Sequence, residues 1–155
     1  TAGIELAWTL LGYAAAHRWR VALVGAEPAV MDILRRELPQ RHPGLNLVMA
    51  LDGYQPAEAW LGIEQELVGL NPDLVLVALG VPRQETWSRR VSTDAAGLWM
   101  GVGGSFDVWA GIKKRAPQWM CQLQIEWLYR LIQEPSRWRR MLSLPAFAWA
   151  VLRQP

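Results

Sequence analysis

The chain has 155 residues, 52% of them hydrophobic, which is enough to bury the core of one domain and a smaller appendage. The single cysteine, Cys121, excludes an internal disulfide framework and is typical of a reducing compartment, and we expect no signal peptide. Charge is uneven, since residues 1–110 hold 8 Lys/Arg and 12 Asp/Glu whereas residues 111–155 hold 8 and 2.

Four short apolar runs predict strands, and their Val and Leu content is typical of strands buried on both faces. These runs are residues 21–24, 45–51, 74–79 and 98–102. Helical patterns precede and separate them, at residues 4–19, 28–38, 56–70 and 84–91, with proline first in the second and third. The alternation predicts an α/β fold: a Rossmann-like parallel sheet with flanking helices and right-handed crossovers.

After residue 105 the pattern becomes helical throughout, with a short helix at 106–111 and an amphipathic one at 118–133. A third helix restarts at Pro135 and is interrupted by Pro145. We therefore divide the chain into a Rossmann-like domain, 1–111, and a basic, Trp-rich helical appendage, 112–155. Basic residues interleaved with Trp suit a bilayer interface or nucleic acid, and a solvated helical face explains them equally well.

Ligands of open parallel sheets bind beyond the carboxyl ends of the strands, so the four loops there are the candidate site. They span residues 25–28, 52–55, 80–87 and 103–107. Glycines allow close backbone approach and helix starts offer N–H groups to phosphate, which together favour a nucleotide cleft. Each loop also has a structural explanation. The Asp52-Gly53 pair is an ordinary turn, and Gly101-Val-Gly-Gly-Ser-Phe106 lacks the third glycine of a dinucleotide fingerprint.

Gln84 follows Pro82 at the mouth of a predicted strand. Its neutral amide suits a sugar hydroxyl or a diphosphate oxygen, while helix capping explains it equally well. His17 and His42 have no Cys, His or carboxylate at metal spacing, so we predict no metal site. Asp107 is explained either by a ligand or by the favourable dipole at a helix start.

Several short motifs occur together in one order. They are Asp52-Gly-Tyr54, Gly80-Val-Pro-Arg-Gln-Glu-Thr-Trp87, Gly101-Val-Gly-Gly-Ser-Phe-Asp107, Arg115-Ala-Pro-Gln-Trp119, Glu126-Trp-Leu-Tyr-Arg130, Glu134-Pro-Ser-Arg137 and Arg140. In this order they resemble the WecG/TagA/CpsF glycosyltransferase family, and the resemblance covers nearly the whole chain.

The resemblance implies an inverting, metal-independent transfer of a sugar, N-acetylmannosamine-type or related. The donor is a UDP-sugar and the acceptor a polyprenyl-diphosphate-linked sugar of cell-surface polysaccharide synthesis. By position, Tyr54 and Asp107 would hold the uridine, and Gln84 would lie at the reacting sugar. The glycines of the nucleotide loops would be Gly25, Gly103 and Gly104. Arginines of the appendage would meet the diphosphates, namely Arg115, Arg130, Arg137 and Arg140.

Members of this family begin with a segment that carries an Asp thought to act as general base. The opening Thr1-Ala-Gly-Ile-Glu-Leu6 resembles the middle of a member. We therefore expect this chain to bind donor nucleotide but to transfer sugar slowly. Apolar surface left without that segment would favour self-association, so the oligomeric state stays open.

The resemblance also implies a cytoplasmic location, peripheral on the inner face of the bacterial membrane, and anionic lipid as partner rather than nucleic acid. Two other classes of protein remain. A nucleotide-binding or oxidoreductase Rossmann domain is disfavoured by Phe106 at the third glycine position. A non-catalytic membrane adaptor is favoured by the basic, Trp-rich appendage.

Overall fold

The computed structural model describes residues 3–114 together with residues 117, 120 and 129. The chain divides into two compact units, Thr1–Lys113 and Lys114–Pro155. The helices predicted after residue 117 fall outside the described residues, apart from positions 120 and 129, so the fold below is that of the first unit.

Four parallel strands form one sheet, which confirms the predicted α/β class. The strands are β1 (Arg20–Gly25), β2 (Asn46–Leu51), β3 (Leu74–Ala78) and β4 (Leu98–Gly101). Their order across the sheet is β2-β1-β3-β4, so β1 and β3 are central. The register pairs Gly25, the last residue of β1, with Ala78, the last residue of β3.

Five α-helices accompany the sheet within residues 3–114. They are α1 (Gly3–Ala16), α2 (Pro28–Arg41), α3 (Trp60–Leu70), α4 (Arg83–Val91) and α5 (Ser105–Trp109). Pro28 begins α2 as predicted, because a first helical residue needs no N–H donor. Pro56 does not begin α3, since a 3₁₀ turn at Ala57–Ala59 comes first. Within the described residues, no helix has the length and apolar character needed to cross a membrane.

Alternate residues of the central strands point to opposite faces and build two apolar clusters. Val21 and Leu23 pack with α1, α2 and α5, whereas Ala22 and Val24 pack with α3 and α4. The prediction that all four strands are buried on both faces was wrong for β2 and β4. Their residues are half-exposed or exposed because both strands lie at sheet edges, where fewer elements cover them.

The topology fixes where a ligand can bind. From β1 the chain crosses through α2 to β2, and from β3 it crosses through α4 to β4 on the other side. Strand order therefore reverses between β1 and β3, and all four carboxyl ends lie at one edge. Such a switch point leaves a crevice between the loops, which is the usual ligand site of this fold class.

Candidate functional site

A cleft of ≈ 320 Å³ lies at this switch point, and we call it the switch-point cleft. The loops after β1, β2 and β3 supply its backbone walls. Its side-chain lining includes Glu27, Tyr54, Arg83, Asp107 and Lys113. The four separate sequence loops thus converge as predicted, and each contributes a charged side chain or an aromatic ring to one cavity.

Backbone contacts fix the floor of the switch-point cleft. Gly25 has a φ of 120°, and a Cβ there would lie 2.4 Å from the carbonyl carbon of Ala78. The N–H of Ala26 donates to the carbonyl oxygen of Ala78 at 2.9 Å, and the N–H of Gly53 donates to that of Ala26 at 2.9 Å. Gly25 therefore allows β1 and β3 to approach closely at the cleft, and its role is in the backbone.

Tyr54 reaches the cleft from a turn closed by Asp52. The Asp52 carboxylate accepts hydrogen bonds from the backbone N–H of Tyr54 at 2.9 Å and from Nε2 of Gln55 at 2.8 Å. The turn interpretation of Asp52 is therefore confirmed. Tyr54 itself is 69% exposed, so its ring is available to stack on a planar ligand.

The switch-point cleft is lined by two cationic side chains, Arg83 and Lys113, and by two anionic ones, Glu27 and Asp107. Their formal charges therefore cancel. Nζ of Lys113 lies 3.4 Å from Oδ2 of Asp107, whose side chain is 19% exposed. The Arg83 guanidinium lies 5.0 Å from the centre of the Trp60 ring and donates to the carbonyl oxygen of Gly53 at 3.3 Å. A ligand that carries both hydroxyls and phosphates matches this mixture of acceptors and cations.

A second cleft, of ≈ 380 Å³, is lined by Gln84, Glu85, Ser88, Trp99 and Gly101, and we call it the Gln84 cleft. Gln84 is only 7% exposed, and its Nε2 donates to Oε1 of Glu85 at 2.9 Å. A Cβ at Gly101 would lie 2.7 Å from that Nε2, so the first glycine of the fingerprint-like motif makes room for Gln84. Gln84 therefore does not line the cavity that contains Tyr54 and Asp107.

The chain matches the family model "Glycosyl transferase WecG/TagA/CpsF family" over residues 1–155. It belongs to that family. The resemblance seen in the motifs is thereby confirmed, and it extends over the whole chain.

Three curated relatives carry the name N-acetylglucosaminyldiphosphoundecaprenol N-acetyl-beta-D-mannosaminyltransferase. The chain is 38% identical over 99% of its length to the protein of Bacillus subtilis (strain 168). Identity is 37% over 98% for that of Bacillus spizizenii (strain ATCC 23059 / NRRL B-14472 / W23), and 32% over 97% for that of Staphylococcus aureus (strain MW2). The chain spans 59% of the length of each.

For this WecG/TagA/CpsF family member, the structure separates the candidate residues into groups. Tyr54 and Asp107 line the switch-point cleft, Gly25 lies beneath it, and Gly103 and Gly104 form the turn that leads into α5. A Cβ at Gly104 would lie 3.5 Å from Oδ2 of Asp107, so this turn passes beside the carboxylate. The four candidate arginines lie outside the described residues: Arg115, Arg130, Arg137 and Arg140.

Arg83 and Lys113 were not among the candidate site residues. Arg83 stands inside the quoted motif of residues 80–87, directly before Gln84, and its positive charge beside the strand end was the signal that could have found it. Lys113 follows α5 with no motif of its own. It reaches Asp107 because the carbonyl oxygen of Asp107 accepts from the N–H groups of Ile112 and Lys113, which folds the chain back.

Two titratable groups outside both clefts have shifted pKa values. Burial, with a smaller contribution from Arg41, lowers the pKa of His42. Hydrogen bonds from the side chain and backbone of Arg20 hold the pKa of Asp73 below its usual value. Across residues 3–114 and the three further described positions, no group of three or more His, Cys, Asp or Glu side chains is arranged to hold a metal.

Proposed function

We propose that this chain is the donor-binding part of a glycosyltransferase that moves an N-acetylmannosamine-type sugar from a UDP-sugar to a polyprenyl-diphosphate-linked sugar. Family membership and the names of its relatives support the transferase class. The observation that supports a UDP-sugar as the donor is the convergence of Tyr54, Arg83 and Asp107 at the β1/β3 switch point.

Each of these side chains matches one part of a uridine diphosphate. Tyr54 offers an exposed ring to the uracil, and the Asp107 carboxylate accepts hydrogen bonds from ribose hydroxyls. Arg83 is held in place by Trp60 and the carbonyl of Gly53, so its guanidinium is fixed before a diphosphate arrives. The neighbouring Lys113 adds a second cation.

The same two cations serve the chemical step. Departure of UDP places negative charge on the β-phosphate, and preorganised cations beside that oxygen stabilise the transition state more than the bound donor. Arg83 and Lys113 would neutralise this charge, as a divalent cation does in other glycosyltransferases. We therefore expect sugar transfer to need no metal. The proton of the attacking hydroxyl requires a base, and Asp52 is a poor candidate because both its oxygens accept local hydrogen bonds.

Isothermal titration of the chain with UDP and with NAD tests the donor site. We expect UDP to bind and NAD to fail. Arg83→Ala should weaken UDP binding by about 1.5–3 kcal/mol, the range for a hydrogen bond to a charged group. Arg89→Ala is the matched control, because Arg89 is exposed on the same helix and lines neither cleft. NAD binding as tightly as UDP, or equal affinities of the two variants for UDP, would overturn the assignment.

The acceptor side of the proposal concerns residues 112–155. Their 8 basic and 2 acidic residues, with Trp119, Trp127, Trp138 and Trp149, favour an anionic membrane surface and a lipid-linked diphosphate. Replacing Arg137, Arg139 and Arg140 together by Gln should reduce sedimentation with phosphatidylglycerol vesicles at low salt, at about 1 kcal/mol for each charge removed. The control replaces Arg18, Arg35 and Arg36 by Gln, which removes the same number of positive charges but leaves residues 112–155 unchanged. Equal loss in both triple variants contradicts the proposal.

A further inference from the structure

The Gln84 cleft has polar atoms without partners. Within the part of the chain that the structure describes, Oε1 of Gln84, Oγ of Ser88 and Nε1 of Trp99 are shielded from solvent and make no hydrogen bond, and their three residues line one cavity. Buried polar groups are nearly always paired with protein, water or a ligand, so three such atoms on the residues of one cavity mark a polar site.

The donor and acceptor pattern of these atoms is specific. Glu85 can only accept, so the Nε2 of Gln84 faces it, and Oε1 is an acceptor without a partner among the described residues. The indole Nε1–H of Trp99 can only donate, and the Ser88 hydroxyl can do either. The occupant must therefore present both an N–H or O–H donor and an acceptor oxygen.

Charge excludes a phosphate from this position. Among the described residues that line the Gln84 cleft, Glu85 is the single ionised side chain, so a phosphate there would meet a carboxylate with no compensating cation from these residues. A neutral secondary amide fits better, because one N–H and one carbonyl oxygen project in opposite directions.

Adjacent residues of α4 line the two clefts. Arg83 lines the switch-point cleft and Gln84, the next residue, lines the other, with Cα atoms about 3.8 Å apart. A diphosphate at Arg83 therefore places its attached sugar beside the helix end that carries Gln84.

We propose that the Gln84 cleft binds the acetamido group of a 2-acetamido sugar, with Gln84 and Trp99 as its acceptor and donor. This inference rests on the proposed function. The donor sugar and the acceptor sugar can both carry such a group, so the chemistry is shared and its source is separated by experiment.

Titration calorimetry tests the proposal with pairs of ligands that differ only at C2. The donor pair is UDP-N-acetylmannosamine and UDP-mannose. The acceptor pair is a short-chain lipid diphosphate carrying N-acetylglucosamine or glucose. We expect the wild-type chain to prefer the acetamido member of one pair by about tenfold. The pair that shows the preference identifies the source.

Three variants remove one partner each: Trp99→Phe, Ser88→Ala and Gln84→Met. Each should reduce the acetamido preference by about fivefold or more while UDP itself binds within about twofold of wild type. Trp19→Phe and Ser92→Ala are matched controls, since both lie outside the cleft and should keep the preference. A preference absent in both pairs, or unchanged in all three variants, overturns the acetamido site even though UDP still binds.

Failure of the proposed function gives a different result, which is that UDP does not bind at all. Saturation-transfer NMR with free N-acetylmannosamine then decides the acetamido site alone. Transfer to the acetyl methyl group in the wild type and its loss in Trp99→Phe would support the site. No transfer in the wild type, or equal transfer in both proteins, overturns it.

Discussion

The two clefts of this domain differ in how their polar groups are satisfied and in what forms their walls. In the switch-point cleft, Asp107 pairs with Lys113 and Arg83 donates to a backbone carbonyl, so three of its four charged side chains already have partners. In the Gln84 cleft, three polar atoms are buried without partners. The first is thus organised before its ligand binds, whereas the second lacks hydrogen bonds that only an occupant supplies.

The walls show the same contrast. At Gly25 the neighbour of a hypothetical Cβ is backbone of the adjacent strand, whereas at Gly101 it is the end of the Gln84 side chain. Backbone in a sheet cannot move without breaking the ladder, but a side-chain amide can rotate. We therefore expect the switch-point cleft to tolerate change poorly and the Gln84 cleft to adapt.

The largest predicted effect is the loss of stability in Gly25→Ala. The substitution places a Cβ against the carbonyl of Ala78 at a positive φ, and should destabilise the fold by about 3 kcal/mol or more. Gly101→Ala meets a movable side chain and should destabilise it by about 1 kcal/mol. Urea unfolding of both variants measures the difference, and equal losses would show that the two walls are equally rigid.

The next effect is on ligand affinity. Asp107→Ala should weaken UDP binding by about 1.5–3 kcal/mol if its carboxylate accepts from the ribose. Gln84→Ala should change UDP affinity by less than about 0.5 kcal/mol, because Gln84 lines the other cleft. Asp94→Ala, at an exposed carboxylate beyond α4, is the control in the same titration. Unchanged UDP affinity in a folded Asp107→Ala protein would show that the ribose does not bind at this position.

A third prediction concerns the packing of α4, the helix that carries Arg83 of the switch-point cleft and Gln84 of the other cleft. Glu64, 8% exposed on α3, accepts from Nε1 of Trp87 at 2.8 Å and from two nitrogens of Arg90 at 2.8 and 2.5 Å. Arg90→Ala leaves that carboxylate without its cation and should lower the free energy of unfolding by about 1–2 kcal/mol. Arg89→Ala should change it by less than about 0.5 kcal/mol. If the two variants unfold alike, the Arg90–Glu64 ion pair adds nothing to the stability of the fold.

The smallest effect is the pH dependence contributed by His42, whose Nε2 is also unpartnered but lines neither cleft. Because its pKa is lowered in the fold, the neutral ring stabilises the protein above about pH 6.5, and this contribution is lost as the pH falls below that value. His42→Leu should flatten the decline of the urea midpoint between pH 7.5 and 5.5. An unaltered slope in His42→Leu assigns the decline to other groups.

Local sequence patterns were sufficient for much of this architecture. The apolar runs at 21–24 and 74–79 are strands because continuous Val and Leu content leaves no polar face, and Pro28 marks a helix start because it needs no donor there. Asp52 and Gly53 were correctly read as a turn, since an aspartate side chain reaches the N–H two residues on. The family, too, was recognisable from short motifs in a fixed order.

Tertiary structure alone decided which of these residues meet. Arg83 and Gln84 are adjacent in one motif, yet successive residues of a helix project about 100° apart, so they line different clefts. Strand order, which no local pattern contains, made β2 and β4 edge strands and placed Gly25 against Ala78. Sequence thus determines the elements because their periodicity is local, whereas the site depends on strand order and helix rotation, which only packing fixes.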